Sequence, residues 1–455
     1  MTSNLSDLLA CPRCEKALVS SGQGLRCAGC QIDFPSLENI PWLYSHPTTA
    51  LIEWRQRLNL MLSSLERDAL RLSEALQQKD LRPLARQRLE QLQAATEDHS
   101  DRLQALLAPL DLEQSTVGQE MALALRTRLP PDQGLTTYYP NLHRDWAWGD
   151  EENSASLALL SDRLGDVDEP QRILVLGSGA GRLAYDLHRE TDAELTVALD
   201  FNPLFQLAAQ RITGGESVEL YEFPIAPRSI GDQAVLRTLR APAPVRSGFH
   251  LVLADALHPP FAEAGFDTVV TPWLVDVLPE DFPALCFRIN RLLKQQGRWL
   301  NFGSLRFHQS SPEQHYSLEE CEVLIQDAGF TSPVAKEATI PYMCSPASRH
   351  GRRETVVTWC AVKENDTERP SRHQALPDWL VEGTDPIPLL DSFRMQAATT
   401  RIYALIMSLI DGRRSLEDMA QVMVQQRLVS EEEAEPTIRQ FLIKMYDDSK
   451  RAARF

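Results

Sequence analysis

The spacing of apolar residues changes along the chain, and each change predicts a different kind of structure. From Leu51 to Leu72 leucines recur every seven residues, which predicts a long amphipathic helix. Pro83 interrupts this pattern, and a second apolar stripe ending at Leu110 predicts a helix that returns antiparallel to the first. We therefore expect a helical hairpin over residues 51–128. A packing role is favoured over a functional coiled coil, because too few heptads are sustained.

Short apolar runs alternate with helical stripes between residues 129 and 363. The predicted strands are 172–176, 195–199, 251–254, 268–271, 299–303 and 355–362, and the predicted helices are 182–190, 283–293 and 318–328. This alternation indicates an α/β fold with a doubly wound, mostly parallel sheet. Residues 214–248, which are rich in Pro, Gly and Arg, are predicted to form an insertion or a mobile cover.

The C-terminal part of the chain departs from this alternation. After Lys363 a polar run without apolar periodicity predicts a linker over residues 364–378. Three further helical stripes follow, with Asp411 and Gly412 as a stop signal between the first two. They predict a small helical domain over residues 379–455.

Composition and charge narrow the function classes. The chain has 455 residues, of which 43% are hydrophobic and 24% charged, a balance that excludes a wholly disordered chain. Its net charge of −17 disfavours nonspecific binding to nucleic acid and to anionic membranes. No apolar stretch approaches the ~18 residues of a membrane span, and the N-terminus has no signal-peptide core. The expected location is cytoplasmic.

Four of the eight cysteines form a pattern within the first thirty residues. Cys11 and Cys14 make one C-x-x-C pair, and Cys27 and Cys30 make a second. Two tight turns of this kind can present four thiolates at the corners of a tetrahedron, which suits Zn²⁺. Four sulfur ligands leave no open position, so the predicted site is structural, and a redox dithiol would need only one pair.

The segment around these cysteines, from Leu8 to Trp42, also resembles the Trm112-like zinc-ribbon family. We therefore assign residues 1–46 to a zinc ribbon. Members of that family act as partners or appended modules of methyltransferases, which gives a first indication of what the rest of the chain does.

A glycine-rich turn at Gly177, Ser178, Gly179 and Gly181 directly follows the first predicted strand and opens a helix. Glycines permit a sharp turn and let backbone amides approach a nucleotide-like ligand, although such a turn can also be purely structural. Arg182 occupies the position where a dinucleotide fingerprint needs glycine, which disfavours NAD.

Two acidic residues end the next two predicted strands. Asp200 lies nineteen residues beyond Gly181, where a carboxylate can accept hydrogen bonds from ribose hydroxyls. Asp255 ends the third strand, where a carboxylate can meet the amino group of an adenine. Two strand-end acids beside a glycine turn suit an adenosine without phosphates, as in S-adenosylmethionine.

The arrangement resembles a class I S-adenosylmethionine-dependent methyltransferase. That class has a Rossmann-like, seven-stranded sheet whose last strand runs against the others. Four ordered motifs narrow the resemblance to the carnosine N-methyltransferase family, over about residues 51–363. The motifs are Arg144-Asp-Trp146, Leu176 to Ala184, Trp273-Leu-Val-Asp276 and Asn301 to His308.

The resemblance implies which residues contact each substrate. For S-adenosylmethionine they are Asn141, Arg144, Gly177, Asp200, Asp255, Ala256 and Pro272. For an imidazole substrate they are Asp276 and His308, with Tyr342 retained nearby. There is a physical reason for the aspartate: a carboxylate that accepts the N–H of one imidazole nitrogen leaves the lone pair of the other nitrogen facing the methyl group.

Simpler interpretations of these residues stay open. Asp276 can cap a helix, and His308 can be an ordinary loop residue. Arg144 can be a surface ion-pair partner of Asp145 or Asp150. Trp146 and Trp148 can be core residues.

The chain departs from the carnosine family at Arg349-His-Gly-Arg-Arg353, a stretch that is aromatic in that family. These arginines put specificity for a dipeptide in doubt. They would suit an acceptor that carries a carboxylate or another anion.

Residues near 389–447 resemble the helical part of PqqD-like domains, which bind leader peptides of modified peptides. A three-helix stabilising or dimerising module is the alternative.

The resulting expectation is an S-adenosylmethionine-dependent N-methyltransferase that acts on an imidazole-containing small molecule or peptide. RNA methylation is the second hypothesis, since zinc ribbons accompany rRNA and tRNA methyltransferases. A non-catalytic scaffold that binds peptide and S-adenosylmethionine is the third.

Overall fold

The computed structural model describes residues 5–22, 24–112, 138–165, 171–191, 193–307, 312–367 and 389–451. The chain divides into two compact units, residues 1–370 and 371–455. The first unit contains the N-terminal ribbon, a helical hairpin and the α/β sheet. The second consists of helices.

The N-terminal ribbon is built from short antiparallel strands. They are β1 (Leu18–Ser21), β2 (Gly24–Cys27) and β3 (Ile32–Phe34), followed by the two-stranded β4 (Ser36–Leu37) and β5 (Ile40–Pro41). Glu15 and Gln31, each directly after the second cysteine of a C-x-x-C pair, have positive φ angles of 62° and 57°. These left-handed residues close the two turns that carry the cysteines.

The helical hairpin consists of α1 (Pro47–Leu76) and α2 (Pro83–Leu107), which pack against each other. Each helix begins with proline, whose fixed φ and missing N–H are tolerated in the first turn. Pro83 therefore starts the second helix at the point where the sequence predicted an interruption. Residues 113–128 of the predicted hairpin lie outside the described residues.

Seven strands form the central sheet in the spatial order β10-β7-β6-β11-β12-β14-β13. Their bounds are β6 (Gln171–Leu176), β7 (Ala193–Asp200), β10 (Phe249–Leu253), β11 (Phe266–Pro272), β12 (Leu293–Gly303), β13 (Lys336–Tyr342) and β14 (Arg352–Val362). The pairs among β10, β7, β6, β11 and β12 are parallel, whereas β14 is antiparallel to both of its neighbours. The predicted sheet, with its last strand reversed, is confirmed.

Helices precede the sheet along the chain and connect its strands. They are α3 (Pro140–His143), α4 (Asp150–Leu164), α5 (Arg182–Glu190), α6 (Pro203–Thr213), α7 (Phe282–Leu292) and α8 (Leu318–Asp327). One π-helical turn, Arg144–Trp148, joins α3 to α4. The start of α6 is fixed by Asn202, whose side chain accepts a hydrogen bond from the Leu204 amide at 3.0 Å.

Alternate residues of the central strands enter two hydrophobic cores, one on each face of the sheet. In β6, Ile173 and Val175 belong to one core, and Leu174 and Leu176 belong to the other. This two-residue alternation is the periodicity of a strand buried on both faces. It explains why the predicted strands read as continuous apolar runs.

Residues 214–248 contain regular structure that the sequence did not predict. Strands β8 (Val218–Glu222) and β9 (Val235–Leu239) pair as an antiparallel hairpin. Edge strand β13 was also not predicted, because its burial is mostly partial and its apolar pattern is weak.

The second unit contains α9 (Asp391–Leu409), α10 (Leu416–Gln425) and α11 (Glu431–Arg451). They follow the three predicted stripes, and their buried residues form a separate small core that includes Ile406, Met423 and Ile438. A capping box between Ser415 and Asp418 begins α10.

Candidate active site

The glycine turn lies between β6 and α5, on the side of the sheet where the parallel strands have their carboxyl ends. Gly177, Gly179 and Gly181 have φ angles of 70°, 57° and 87°, which residues with side chains rarely adopt. A Cβ at Gly177 would lie 2.8 Å from Leu274 Cδ1, whereas a Cβ at Gly179 would meet nothing within 4 Å. The turn is therefore closed against the protein at Gly177 and faces open space at Gly179.

Residues of the Arg144-Asp-Trp146 motif form hydrogen bonds with this turn and with the first residue of the helix that follows it. The Trp146 indole donates a hydrogen bond to the Ala180 carbonyl oxygen at 2.8 Å. The Arg182 guanidinium stacks on Trp146 with its carbon 5.5 Å from the ring centroid, and it donates to the Asp145 carbonyl oxygen at 2.8 Å. Trp146 is buried, as the simpler interpretation held, but it also fixes the backbone of the turn.

Asp200 ends β7 beside the glycine turn. Its carboxylate accepts hydrogen bonds from the Gly179 and Asn202 amides, both at 2.8 Å. Burial raises the pKa of Asp200 to about 7, although these amide donors oppose the shift. The two amides thus hold the Asp200 carboxylate against the turn. Its ionisation costs free energy unless a further polar group pairs with it.

Asp255 lies on the neighbouring strand end. Asp200 pairs with Leu253 of β10, and Asp255 follows two residues later, with Ala256 buried beside it. One carboxylate oxygen of Asp255 accepts the Leu257 amide at 2.9 Å, and its side chain is 36% exposed. Pro272 ends β11 on the other side of β6 and pairs with Phe302.

This set of groups fits S-adenosylmethionine. Gly179 faces open space, and carboxylates at two strand ends can accept hydrogen bonds from a ribose and an adenine. Arg182, which directly follows the turn, is already paired with Asp186 at 2.8 Å, so it does not offer a free counter-ion for phosphates. An adenosine with no phosphate is therefore a better match than a dinucleotide.

Arg144 is mostly buried, with 14% of its side chain exposed, and forms two ion pairs. Its guanidinium lies 2.7 Å from an Asp145 oxygen and 3.1 Å from a Glu152 oxygen. Burial alone would lower the pKa of Arg144, but the two carboxylates outweigh it and leave the pKa raised. The simpler interpretation of an ion pair with Asp145 is confirmed, but its surface location is wrong, since the two side chains are 14% and 5% exposed. Glu152 is a second partner that the sequence did not indicate. Asn141 lies one turn earlier, in α3.

Asp276 is buried near the carboxyl ends of β11 and β12. Its Oδ2 accepts hydrogen bonds from the Ser304 hydroxyl and, at 2.9 Å, from the Arg306 amide. Both donors lie in the segment directly after β12. The segment that follows β12 therefore helps to set the orientation of this carboxylate.

Two aromatic rings, Trp273 from the segment before Asp276 and Tyr342 from the end of β13, pack against each other. Trp273, three residues before Asp276, has a positive φ of 49°, and its ring centroid is 4.9 Å from that of Tyr342. The Arg352 guanidinium also stacks on Tyr342, with its carbon 4.5 Å from the ring centroid. Predicted site residue His308 lies outside the described residues.

The four cysteines of the ribbon come together as the spacing predicts. The sulfur atoms of Cys11, Cys14, Cys27 and Cys30 all lie within 4.8 Å of one another. The Cys30 amide donates to the Cys27 sulfur at 3.3 Å. The sulfur atoms of Cys14 and Cys27 are 3.4 Å apart. A tetrahedral Zn²⁺ site with Zn–S bonds of about 2.3 Å places its sulfur atoms about 3.8 Å apart. This value lies between the Cys14–Cys27 distance and the 4.8 Å limit of the cluster, so the four thiolates fit such a site after small adjustments.

A family model described as carnosine N-methyltransferase matches residues 134–365, which is half of the chain. The matched region contains the glycine turn, both strand-end acids and Asp276. The chain belongs to the carnosine N-methyltransferase family. It is an S-adenosylmethionine-dependent methyltransferase.

Solved structures of other methyltransferases are similar to this family member. The N1-methyltransferase of 1,6-didemethyltoxoflavin from Burkholderia thailandensis is 19% identical, with a TM-score of 0.32, over 55% of this chain and 92% of that one. Phosphoethanolamine N-methyltransferase 2 from Haemonchus contortus is 16% identical, with a TM-score of 0.34, over 56% and 61% of the two chains. No protein of curated function matches the chain.

Two residues with contacts at the site of this methyltransferase, Glu152 and Tyr44, are not indicated by the sequence. Glu152 holds the Arg144 guanidinium with one oxygen and accepts the Met343 amide at 2.7 Å with the other. Tyr44, from the end of the ribbon, reaches the residue after Asp200. Neither residue is part of a motif, and no sequence signal marks such long-range pairs. Among the described residues no helix is long and apolar enough to cross a bilayer.

Proposed function

We propose that this methyltransferase transfers the methyl group of S-adenosylmethionine to a ring nitrogen of an imidazole-containing small molecule or peptide. The observation that carries the proposal is the buried Asp276 carboxylate, held by Ser304 and Arg306 at the edge of the sheet where the glycine turn lies. The family supports it, because carnosine is an imidazole-containing dipeptide.

The proposed cofactor site follows the sequence expectation. It consists of Asn141, Arg144, Gly177, Ser178, Gly179, Gly181, Asp200, Asp255, Ala256 and Pro272. When bound there, S-adenosylmethionine supplies an electrophilic methyl group. Asp200 would accept hydrogen bonds from the ribose hydroxyls, and Asp255 would meet the adenine amino group.

At the acceptor, Asp276 would accept the N–H of one imidazole nitrogen. This bond fixes the tautomer, so the other nitrogen keeps its lone pair and acts as the nucleophile without a strong general base. Methylation leaves the ring cationic, and the carboxylate then stabilises that charge at the N–H that it already holds. Alignment of the acceptor by the protein supplies much of the acceleration.

Tyr342 and His308 would complete the acceptor site. Tyr342 would offer a ring face for the imidazole beside Trp273, to which it is already packed. For His308 the support is its position in the family motif Asn301 to His308.

We further propose that Cys11, Cys14, Cys27 and Cys30 bind a structural Zn²⁺ ion. The support is the closeness of the four sulfur atoms and their C-x-x-C spacing. Thiolate ligands must stay reduced, and this is the condition of the cytosol, which we propose as the location. The family match ends at residue 365, so a leader-peptide role for the C-terminal helices stays a prediction.

The proposed function is tested with labelled S-adenosylmethionine and a panel of imidazole compounds, histidine peptides and RNA. Wild type is compared with Asp276→Asn and with the matched control Asp327→Asn, an exposed residue at the end of α8. We expect imidazole methylation, a loss of about 100-fold in kcat/KM for Asp276→Asn because a charged hydrogen bond to the acceptor is lost, and no loss for the control.

The binding of S-adenosylmethionine, followed by calorimetry, is expected to stay unchanged in Asp276→Asn, which separates a role at the acceptor from general damage. Methylation of RNA but of no imidazole compound would support the second hypothesis instead. Equal turnover by wild type and Asp276→Asn would remove the proposed role of the carboxylate.

A further inference from the structure

The hairpin between β13 and β14 ends in a strongly basic cavity. The cavity has a volume of about 310 Å³ and is lined by four arginines, Arg228, Arg349, Arg352 and Arg353, together with His350. In a chain of net charge −17 such a concentration of guanidinium groups is unusual. It also occupies the stretch in which the sequence departs from its family.

Two of the arginines build the wall of the cavity. The Arg349 guanidinium donates to the backbone carbonyl oxygens of Pro227 and, at 2.5 Å, of Arg228. In return the Arg228 Nε donates to the Ser348 carbonyl oxygen at 2.9 Å. This reciprocal clamp joins the segment before β9 to the tip of the hairpin. It fixes the shape of the cavity without neutralising the charges.

The positive charges have little internal compensation. Glu354 pairs with the Arg352 Nε at 2.8 Å. Within the part of the chain that the structure describes, no carboxylate forms an ion pair with Arg228, Arg349 or Arg353. Arg353 is exposed. An uncompensated group of guanidiniums around a cavity favours an anion, since guanidinium binds carboxylate and phosphate oxygens through paired N–H donors.

The cavity is connected to the proposed acceptor site through Arg352. Its guanidinium carbon lies 4.5 Å from the Tyr342 ring centroid, and Tyr342 lies 4.9 Å from Trp273, which precedes Asp276 by three residues. One side chain thus lines the cavity and also contacts the aromatic wall of the acceptor site. These contacts link the arginines of the cavity to the segment that carries Asp276.

We infer that this cavity binds an anionic group of the methyl acceptor, a carboxylate or a phosphate, while Asp276 holds the imidazole. Arg352 and Arg353 are the specificity-determining residues, and Arg228 and Arg349 shape the cavity. The inference rests on the proposed function and deepens it, because it assigns a binding site to the anionic group of the acceptor in the arginine-lined cavity.

The test uses pairs of acceptors that differ only in the anionic group. Histidine is compared with histamine, carnosine with its decarboxylated analogue, and histidinol phosphate with histidinol. The first two pairs report on carboxylate and the third on phosphate. kcat and KM are measured for wild type, Arg353→Gln, Arg353→Lys and the control Arg71→Gln, which removes the same charge from the exposed surface of α1.

For wild type we expect a KM at least tenfold lower for the anionic member of at least one pair. Arg353→Gln should raise that KM by about 10- to 100-fold, as expected for a lost charge-assisted pair, and change the KM of the neutral member by less than about twofold. Arg353→Lys should recover part of the effect, and Arg71→Gln should change nothing. Melting temperatures of all four proteins verify folding.

Equal KM values within every pair, or an equal effect of Arg353→Gln on both members, overturn the inference and leave imidazole methylation intact. If no imidazole compound is methylated at all, the proposed function fails and the inference fails with it. The two results are therefore distinguishable.

Discussion

The hydroxyl of Tyr44 donates a hydrogen bond to the backbone carbonyl oxygen of Phe201, the residue that follows Asp200. Burial, and to a smaller extent the charge of Asp200, raise the pKa of Tyr44 well above its ordinary value, so the hydroxyl stays a donor. Trp54 packs on Phe201 from α1, with ring centroids 5.8 Å apart. The end of the ribbon and the start of the hairpin thus support the proposed ribose-binding strand end.

We expect Tyr44→Phe to weaken S-adenosylmethionine binding by about fivefold, because one buried hydrogen bond contributes about 1 kcal/mol and its loss frees the backbone after Asp200. Calorimetry measures this directly. Tyr403→Phe, a half-exposed tyrosine of the C-terminal unit, is the matched control. Unchanged affinity in Tyr44→Phe would show that the ribbon supports the fold only.

Removal of zinc should also disturb the strand end that carries Asp200. Metal analysis of protein purified without chelator is expected to find one zinc per chain, and chelation should lower the melting temperature of the first unit, because metal binding and folding of such a site are coupled. Since Tyr44 follows the ribbon, chelation should also weaken S-adenosylmethionine binding. A Cys11→Ser variant with a full complement of zinc and unaltered melting would contradict the four-thiolate site.

The pKa of Asp200 predicts a pH dependence of cofactor binding. A ribose hydroxyl donates its hydrogen bond best to an ionised carboxylate. In the protein without cofactor the pKa of Asp200 is about 7 instead of its ordinary 3.8. Below pH 7 the affinity for S-adenosylmethionine should therefore fall by up to about tenfold per pH unit. Asp200→Asn should bind weakly at every pH. The measurement is a series of calorimetric titrations from pH 5.5 to 8.5, and a flat wild-type profile would count against the ribose contact.

The raised pKa of Asp200 also affects the stability of the protein without bound cofactor. Because the folded pKa is raised, the folded state binds more protons than the unfolded state between about pH 4 and 7. The contribution of Asp200 to stability is complete below that range and is lost as pH rises through it. Bound S-adenosylmethionine should offset this loss, so its stabilising effect on thermal unfolding should be larger at pH 8 than at pH 5.5.

His99 should make the protein sensitive to acid. It is a buried residue of α2, edge-on to Tyr139 and Phe223, and burial lowers its pKa from 6.5 to about 4. A depressed folded pKa gives stability that is present above pH 6.5 and lost as pH falls to 4, by at most about 3 kcal/mol. His99→Phe keeps a ring and removes the titration, so its unfolding free energy should fall less between pH 7 and 5. Parallel pH profiles of the two proteins would refute this assignment.

Much of the fold could be predicted because local patterns specify it. The helix Arg182–Glu190 lies at the predicted residues, and strand β6 differs by one residue at its start. The glycine turn sets the start of the helix, and a continuous apolar run sets the strand. Both signals come from residues that are neighbours in the sequence. The glycine turn and the strand-end acids could be identified for the same reason.

Contacts between distant segments could not be predicted. The Trp146 indole reaches Ala180, and the Glu152 carboxylate reaches the Met343 amide across 191 positions. Such pairs depend on how elements pack, and the sequence around Trp146 or Glu152 does not indicate the distant partner. The β8–β9 hairpin was missed because prolines and glycines around its short strands resemble loop sequence.

The edge of the sheet at β10 is covered by the ribbon. Trp42 forms a parallel bridge with Leu253, the Leu43 amide donates to the Leu253 carbonyl oxygen at 2.7 Å, and the Ala10 amide donates to the Pro260 carbonyl oxygen at 2.8 Å. A chain shortened by its first 46 residues would leave these backbone groups and the apolar surface beneath them open to water. Such an edge can template pairing with another molecule, so the shortened protein should self-associate into aggregates at concentrations where the intact chain stays dispersed.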